Sequence, residues 1–190
     1  MKDRSEVCYG SPMESAVCVS CHASKASLKC GFCKGNVCKR CAQYIEKESF
    51  SFLEKVPDEL SHTLYCCACF SEKIAPQLAI YTQTMARAKG VFVFQKKQGE
   101  QTRHMKRSEK PLRVLDCSDR DETLLRLAFF AAQLGFNALV DVDITSQKVR
   151  HFGYQNSKWQ GVGIPTHIDA EKLERESKPG KILLPRPQER

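Results

Sequence analysis

The sequence of 190 residues contains no apolar run long enough to cross a membrane. A spanning helix needs about 18 consecutive apolar residues, and no stretch of the chain approaches that length. Residues 1–6 are polar and lead into no apolar core of signal-peptide length. We therefore expect an intracellular, cytoplasmic protein, with peripheral association to a membrane surface as an open alternative.

The sequence also lacks the motifs of the common enzyme classes. It has no Ser/His/Asp series, no glycine-rich phosphate loop and no His-Glu-x-x-His. Asp141 and Asp143 lie two residues apart on a predicted strand, and Asp116 ends a neighbouring one. Such carboxylates hold hard cations or exchange protons, but acids on the wet face of a half-buried strand give the same pattern. We favour the solvated face and expect a protein that is not an enzyme.

Cysteine, by contrast, is abundant and unevenly placed. Ten of the 11 cysteines lie between positions 8 and 69. In a reducing compartment so many cysteines indicate metal ligands more than disulfides. Residues 15–70 have few apolar runs, and a segment of that size needs a metal or a cross-link to fold securely.

The spacing of these cysteines predicts two zinc sites. Two residues between thiolates allow a tight turn to present both sulfurs to one ion, and Zn²⁺ takes four such ligands tetrahedrally. Eight thiolates make two closed sites, so we expect two Zn²⁺ per chain. The four Cys-x2-Cys pairs are Cys18/Cys21, Cys30/Cys33, Cys38/Cys41 and Cys66/Cys69.

Two pairings of these four turns are compatible with the spacing. The second and third pairs crowd each other, because only four residues separate them. An interleaved arrangement relieves the crowding, with site 1 formed by Cys18, Cys21, Cys38 and Cys41 and site 2 by Cys30, Cys33, Cys66 and Cys69. A sequential arrangement, 18/21 with 30/33 and 38/41 with 66/69, is the alternative.

Residues 15–71 resemble the FYVE-type cross-brace zinc finger. The likeness is carried by residues 30–41, CGFCKGNVCKRC, and by residues 64–70, LYCCACF. The four-residue gap before the third pair differs from RING fingers, which have a shorter gap and usually a histidine ligand. The resemblance implies a treble-clef type zinc domain. The phosphoinositide motif of the family is missing, because residues 26–29 are ASLK, Leu64 replaces an arginine, and the only tryptophan is Trp159.

Three cysteines are left over, namely Cys8, Cys67 and Cys117. Cys67 is an alternative to Cys66 as a ligand, and His62 is a possible nitrogen ligand. We favour a spare thiol and a solvated histidine. Cys117 lies in an alternating apolar segment, so we expect it to be buried in a core and not to act as a nucleophile.

The remainder of the chain predicts an antiparallel α+β domain after a connecting helix. Ile74, Leu78, Tyr81 and Met85 recur at helical spacing, with Gly90 as the stop. The predicted segments are a loose lead-in (1–14), the FYVE-like domain (15–70), the helix (71–90), the α+β domain (91–168) with a basic loop (96–110), and a charged, proline-containing tail (169–190).

The clearest helix of the α+β domain begins at Ser118 or Asp119 and ends at Gly135. Its predicted apolar face consists of Leu124, Leu127, Ala128, Ala131 and Leu134. Strands are predicted over 112–117, 136–145, 148–154 and 161–167, with Gly153 and Gly163 as bulges or close approaches. Residues 125–142 are similar to the helix-to-strand segment of the YbjQ-like family of small α+β domains, which supports the fold and implies little about function.

The net charge of +8 is concentrated in the middle of the chain. Residues 71–113 hold ten basic and three acidic side chains, whereas the flanking segments are nearly neutral. The sequence therefore predicts a zinc-binding interaction or adaptor protein with a protein partner. Its alternatives are a RING-like ubiquitin ligase, or binding of a phosphoinositide, membrane surface or nucleic acid through the basic segment.

Overall fold

The structure is a computed structural model that describes residues 16–99, 102–151 and 154–169. The predicted lead-in over 1–14, and the predicted tail apart from Asp169, lie outside these ranges. The chain forms two compact units, Met1–Leu78 (unit 1) and Ala79–Arg190 (unit 2). Helices, several small sheets and two cysteine clusters confirm the predicted α+β class. In the described ranges no helix is both long and apolar enough to cross a membrane.

Unit 1 is built from very short strands. Two antiparallel pairs form, β1 (Leu28–Lys29) with β2 (Asn36–Val37) and β3 (Ala42–Tyr44) with β4 (Leu64–Cys66). A 3-10 turn at Asp58–Leu60 lies on the connection between β3 and β4. Strands of two or three residues supply few ladder hydrogen bonds and little buried area, so they do not hold the unit together by themselves.

The apolar core of unit 1 is correspondingly small. Tyr65, Val37 and Ile74 are fully buried, and Ala26 is nearly so. Tyr65 satisfies its hydroxyl by donating to the carbonyl oxygen of Glu59 at 2.8 Å, so burying this large ring leaves no polar group unpaired. Because cysteines are buried among these residues, the core and the candidate metal sites are one structure.

The helix predicted over 71–90 starts earlier and is irregular. A short α1 (Cys67–Cys69) continues into a π-helical turn (Phe70–Ile74) and then into α2 (Ala75–Ala88). The amide of Ala75 donates to the carbonyl of Phe70, five residues back. The wider turn precedes Pro76, whose missing N–H and bulky ring disfavour a regular α-helical bond there. Of the predicted stripe, Ile74 is buried and Leu78, Tyr81 and Met85 are half-buried, whereas the buried Thr84 and Ala88 were not predicted.

Unit 2 is a four-stranded sheet with one helix. Its strands lie in the order β5-β7-β8-β6. The elements are β5 (Phe92–Gln95), a 3-10 turn (Lys96–Gln98), β6 (Leu112–Cys117), α3 (Arg120–Gln133), β7 (Ala138–His151) and β8 (Tyr154–Thr166). β7 with β8 and β8 with β6 are antiparallel as predicted, but β5 with β7 is parallel. The chain passes through β6 and α3 between them, which is the long crossover that a parallel pair requires.

Helix α3 packs directly on β8. A β-carbon at Gly161 would lie 2.7 Å from Cγ2 of Thr123 and 2.9 Å from Cδ1 of Leu127, so only glycine allows this approach. Asp119 caps the helix by accepting from the amide of Glu122 at 2.7 Å. The chain leaves α3 at Gly135, whose φ of +89° is in the left-handed region.

The predicted apolar face of α3 is correct except at its end. Leu124, Leu127, Ala128 and Ala131 are buried, whereas Leu134 is 60 % exposed. Leu134 is the residue that follows the last helical position, and the chain has begun to turn away from the sheet there. Cys117, as expected, is buried in the core of unit 2, at 2 % exposure.

The strands predicted over 148–154 and 161–167 are wrong as separate elements. Residues 148–151 are the end of β7, residue 154 is the start of β8, and residues 161–166 are the end of β8. One long hairpin therefore replaces the two predicted strands. Gly153 lies outside the described residues, and Gly163 pairs in register with Leu112. The register shifts at Val140/Asp143 and Val114/Cys117. Gly163 lies opposite the first of these shifts, and a β-carbon there would lie 3.0 Å from Cγ2 of Val142, so the predicted bulge or close approach at Gly163 is confirmed. Each shift contains an aspartate with positive φ, Asp141 at 52° and Asp116 at 58°, a conformation that Asp tolerates better than most residues.

Candidate metal centres

The eight predicted ligand thiols come together as two groups of four. In each group the Sγ atoms all lie within 4.8 Å of one another. Site 1 contains Cys18, Cys21, Cys38 and Cys41, and site 2 contains Cys30, Cys33, Cys66 and Cys69. The structure therefore has the interleaved arrangement and not the sequential one.

The sulfur separations suit a tetrahedral ion. The Sγ atoms of Cys21 and Cys38 lie 3.7 Å apart, and those of Cys33 and Cys66 lie 3.9 Å apart. Four sulfurs at about 2.3 Å from a central Zn²⁺ would be separated by roughly 3.8 Å. The cavity between the thiols is thus the size that a tetrahedral metal–sulfur site needs.

The first two Cys-x2-Cys turns share one backbone geometry. In each, the residue after the second cysteine donates its amide to the carbonyl of the first cysteine, His22 to Cys18 at 2.9 Å and Lys34 to Cys30 at 3.0 Å. His22 and Lys34 have φ of 55° and 60°. Backbone strain of this kind is kept only where the surroundings fix it, and here the turn aims two sulfurs at one point.

The β1–β2 hairpin explains the interleaving. Leu28 pairs with Val37 and Lys29 with Asn36, so the turn of Cys30 and Cys33 lies at the tip of the hairpin. Cys38 follows β2 directly and lies at the base. The four-residue gap thus contains a strand that carries the chain from one site to the other, and the second and third cysteine pairs cannot share an ion.

Backbone amides point at the most buried sulfurs. The amide of Cys38 donates to Sγ of Cys18 at 3.4 Å, and the amide of Cys66 donates to Sγ of Cys30 at 3.2 Å. The amide of Cys38, followed by those of Cys21 and Ser20, lowers the pKa of Cys18 to about 6. Burial opposes the change at Cys30, but amides led by that of Cys66 outweigh it and lower its pKa to about 7. Both thiols are thereby prepared to be thiolates, the form that binds metal.

The pKa values of Cys41 and Cys69 are raised in groups where four sulfurs lie close together. The hydrogen bond with Cys21 raises the pKa of Cys41 to about 12, and burial together with contact to Cys66 and Cys33 raises the pKa of Cys69. Once two thiolates occupy a site, further negative charge is unfavourable. A bound divalent cation would remove that penalty and allow all four sulfurs to ionise.

The spare groups that the structure describes near the sites do not belong to either four-cysteine group. Cys67 is exposed, and it is Cys66 that belongs to the site 2 group. His62 instead has its Nε2 3.2 Å from the ammonium of Lys34, which also contacts the carbonyl of Gly31. Cys8 lies outside the described residues. Burial, the largest influence, raises the pKa of Cys117 in unit 2, which suits a core residue and not a nucleophile.

Two of the three candidate carboxylates of unit 2, those of Asp116 and Asp141, are engaged by cations of the protein, whereas Asp143 is exposed. Arg107 donates to both oxygens of Asp141, at 2.6 and 3.2 Å, and its hydrogen bonds lower the pKa of that carboxyl. Lys158 contacts Asp116 at 2.6 Å. Sequence reasoning missed both pairs, because no local pattern marks the bulges that turn these aspartates outward. A carboxylate already paired with arginine is a poor candidate for a cation site.

Comparison with protein-family models, with curated proteins and with solved structures gives no significant match. The cysteine geometry consequently carries the functional interpretation. Two interleaved four-cysteine groups are consistent with a cross-brace zinc finger, whereas the finer likeness to FYVE and YbjQ-like domains rests on the motifs alone.

Proposed function

We propose that the chain is a zinc-binding, non-enzymatic adaptor whose unit 1 is a docking module for a protein partner. The two interleaved four-cysteine groups carry the proposal. A unit with strands of two or three residues and a small core needs cross-links to be rigid, and two bound ions supply them. Their role is to fold the unit and present its surface.

Zinc is the metal that we assign to both sites. All-thiolate tetrahedral ligand sets select zinc or iron–sulfur chemistry, and the single-ion sulfur separations near 3.8 Å favour zinc. Four protein ligands fill each site, so no coordination position stays open for substrate or water. This supports a structural role for the metal and argues against catalysis at it.

The docking surface that we propose lies beside site 1. Val17 and Val19 flank Cys18 and are 51 % and 46 % exposed. The amide of Val19 donates to the carbonyl of Asn36 at 2.9 Å, so the backbone that carries these side chains is held by the hairpin. Exposed apolar groups on a rigid backbone lose little entropy on binding, which suits a protein interface.

Metal analysis and chelation test the zinc assignment. We expect two zinc ions per chain by elemental analysis, and a strong chelator should unfold unit 1. The only tryptophan, Trp159, belongs to β8 of unit 2, so its emission should stay unchanged while far-ultraviolet circular dichroism decreases. A metal content of zero, or chelation without structural change, would refute the proposal. Chain formation in an autoubiquitination assay would instead support the RING-like alternative.

A matched pair of variants tests the docking surface. Val17→Ser with Val19→Ser removes the proposed contacts, and Ile80→Ser with Leu134→Ser removes two side chains of similar exposure in unit 2. In quantitative affinity capture, a partner should be lost by the first variant and kept by the second. Equal retention by both variants would contradict a docking site at Val17 and Val19.

A further inference from the structure

The β7–β8 hairpin of unit 2 extends past the rest of the sheet as a two-stranded ribbon. Pairing of β5 with β7 ends at Val142, and pairing of β6 with β8 ends at Trp159. Beyond them five residue pairs, from Gln147↔Lys158 to His151↔Tyr154, join β7 and β8 only. Among the described residues no third strand covers either edge of this ribbon, which spans about 14 Å at about 3.4 Å per residue.

The ribbon is polar and lacks negative charge. The sequence has no Asp or Glu between Asp143 and Asp169. Lys148 and Arg150 are exposed, lie on the same face because strand side chains alternate, and have no ion-pair partner in the described part of the chain. The other exposed side chains described here carry amide, hydroxyl or ammonium groups, namely Ser146, Gln147, Asn156, Ser157 and Lys158.

A second group of cations lies in the same unit on the described part of the basic loop, residues 102–110. Arg107 fixes it by donating to the carbonyls of Thr102 and Met105, at 2.9 and 3.1 Å, and to Asp141 of β7. Arg103, Lys106 and Lys110 are left exposed. Nearby carboxylates are partly neutralised, since Asp141 pairs with Arg107 and Asp116 pairs with Lys158, while Asp143 and Glu109 of the loop stay exposed.

The geometry points to binding of double-stranded DNA by unit 2, with the ribbon in the major groove and the basic loop on the flanking phosphates. The major groove, about 12 Å wide, admits a two-stranded ribbon. Lys148 and Arg150 are spaced by about 6.8 Å, two residues of a strand, which matches about two phosphate steps of one DNA strand measured along the helix axis, at about 3.4 Å each. Ser157 pairs with Lys148 and so lies on the same face as the two cations, and its hydroxyl is a group that hydrogen-bonds base edges in that groove.

Two other anionic partners fit the ribbon less well. The major groove of A-form RNA is deep and too narrow for side chains to read, so duplex RNA should bind more weakly. A membrane surface selects helices or loops with exposed apolar side chains beside the cations. The exposed side chains of the ribbon that the structure describes, at positions 147, 148, 150 and 156–158, are all polar.

Binding to a fluorescent 20-base-pair DNA duplex tests the inference with the full, zinc-loaded chain. The test variant is Lys148→Gln with Arg150→Gln. The control is Lys47→Gln with Lys55→Gln, which removes the same charge from two exposed lysines of unit 1. Two lost phosphate contacts should reduce the slope of log affinity against log salt by about 1.8. Between 50 and 200 mM salt, wild-type affinity should therefore fall about tenfold more than that of the test variant.

The outcomes separate the alternatives. Support requires a control that behaves like wild type, duplex RNA that binds at least tenfold more weakly, and protection of guanine N7 from methylation that is lost in the test variant. Equal slopes for the test variant and the control would overturn the inference. Binding to phosphatidylserine vesicles that depends on Lys148 and Arg150, without binding to DNA, would overturn it in favour of a membrane surface.

Discussion

Two double substitutions distinguish the interleaved ligand sets from the sequential ones. In the interleaved structure Cys21 and Cys38 belong to one site, so Cys21→Ser with Cys38→Ser should leave one zinc ion per chain. Cys38 and Cys66 belong to different sites, so Cys38→Ser with Cys66→Ser should leave none. Sequential pairing predicts the reverse, zero for the first variant and one for the second.

The size of the effect follows from how little else holds unit 1. A structural zinc site in a small peptide contributes about 10–16 kcal/mol near neutral pH, as much as the whole net stability of a typical domain, about 5–15 kcal/mol. The strands of unit 1 are two or three residues long. A damaged site should therefore lose its ion and its local structure, while the intact site keeps enough binding energy to retain its own ion.

The measurement is zinc content by elemental analysis after gel filtration, supported by zinc titration against a chromophoric competitor. Both variants lack two thiols, so the number of cysteines removed does not distinguish them, and only the partition of the ligands does. Equal zinc content in the two variants would refute the ligand assignment. Zero and one, in that order, would show that the chain connects the sites sequentially.

Three further predictions concern unit 2. Leu127→Ala should lower the free energy of unfolding of unit 2 by about 2–5 kcal/mol, because this side chain is fully buried. The control Leu134→Ala, at an exposed position, should change that free energy by less than about 0.5 kcal/mol. Similar urea midpoints for the two variants would contradict the burial of this face of α3. Asp119→Ala should cost about 1 kcal/mol through loss of the N-cap, and Asp119→Asn should restore most of it; an asparagine variant as unstable as the alanine one would exclude capping. Arg107 lowers the pKa of Asp141, so their pair stabilises the unit above about pH 4, the unfolded value, and is lost as the pH falls through the lower folded-state pKa. Asp141→Asn should flatten that part of the pH profile of the urea midpoint, and an unchanged profile would contradict the contribution.

We propose that different interactions stabilise the two units. In this proposal unit 1 would obtain its rigidity from metal–thiolate bonds, because its apolar core is small. Unit 2 obtains it from α3 packed on a four-stranded sheet, so its fold should be independent of zinc. Chelation and DNA binding therefore probe separate properties of the same chain.

Features that depend on near neighbours in the chain were predictable. The four Cys-x2-Cys turns, the cap at Asp119 and the left-handed stop at Gly135 each depend on a few consecutive residues, and their signatures are legible in the sequence. The burial of Cys117 followed from alternation in a short strand. The spacing of the cysteines also indicated the number of metal sites, since two residues between thiols suit one turn of backbone.

Features that depend on the path of the chain were decided by the tertiary structure. The spacing allowed two ligand pairings, and the β1–β2 hairpin selects one because β2 carries the chain between the sites. The parallel pairing of β5, the joining of two predicted strands into β7 and β8, and the bulges at Asp141 and Asp116 have no local signature. Each arises from contacts between residues far apart in sequence. The eight candidate ligands could therefore be identified from their spacing, but their grouping into two sets of four only from the fold.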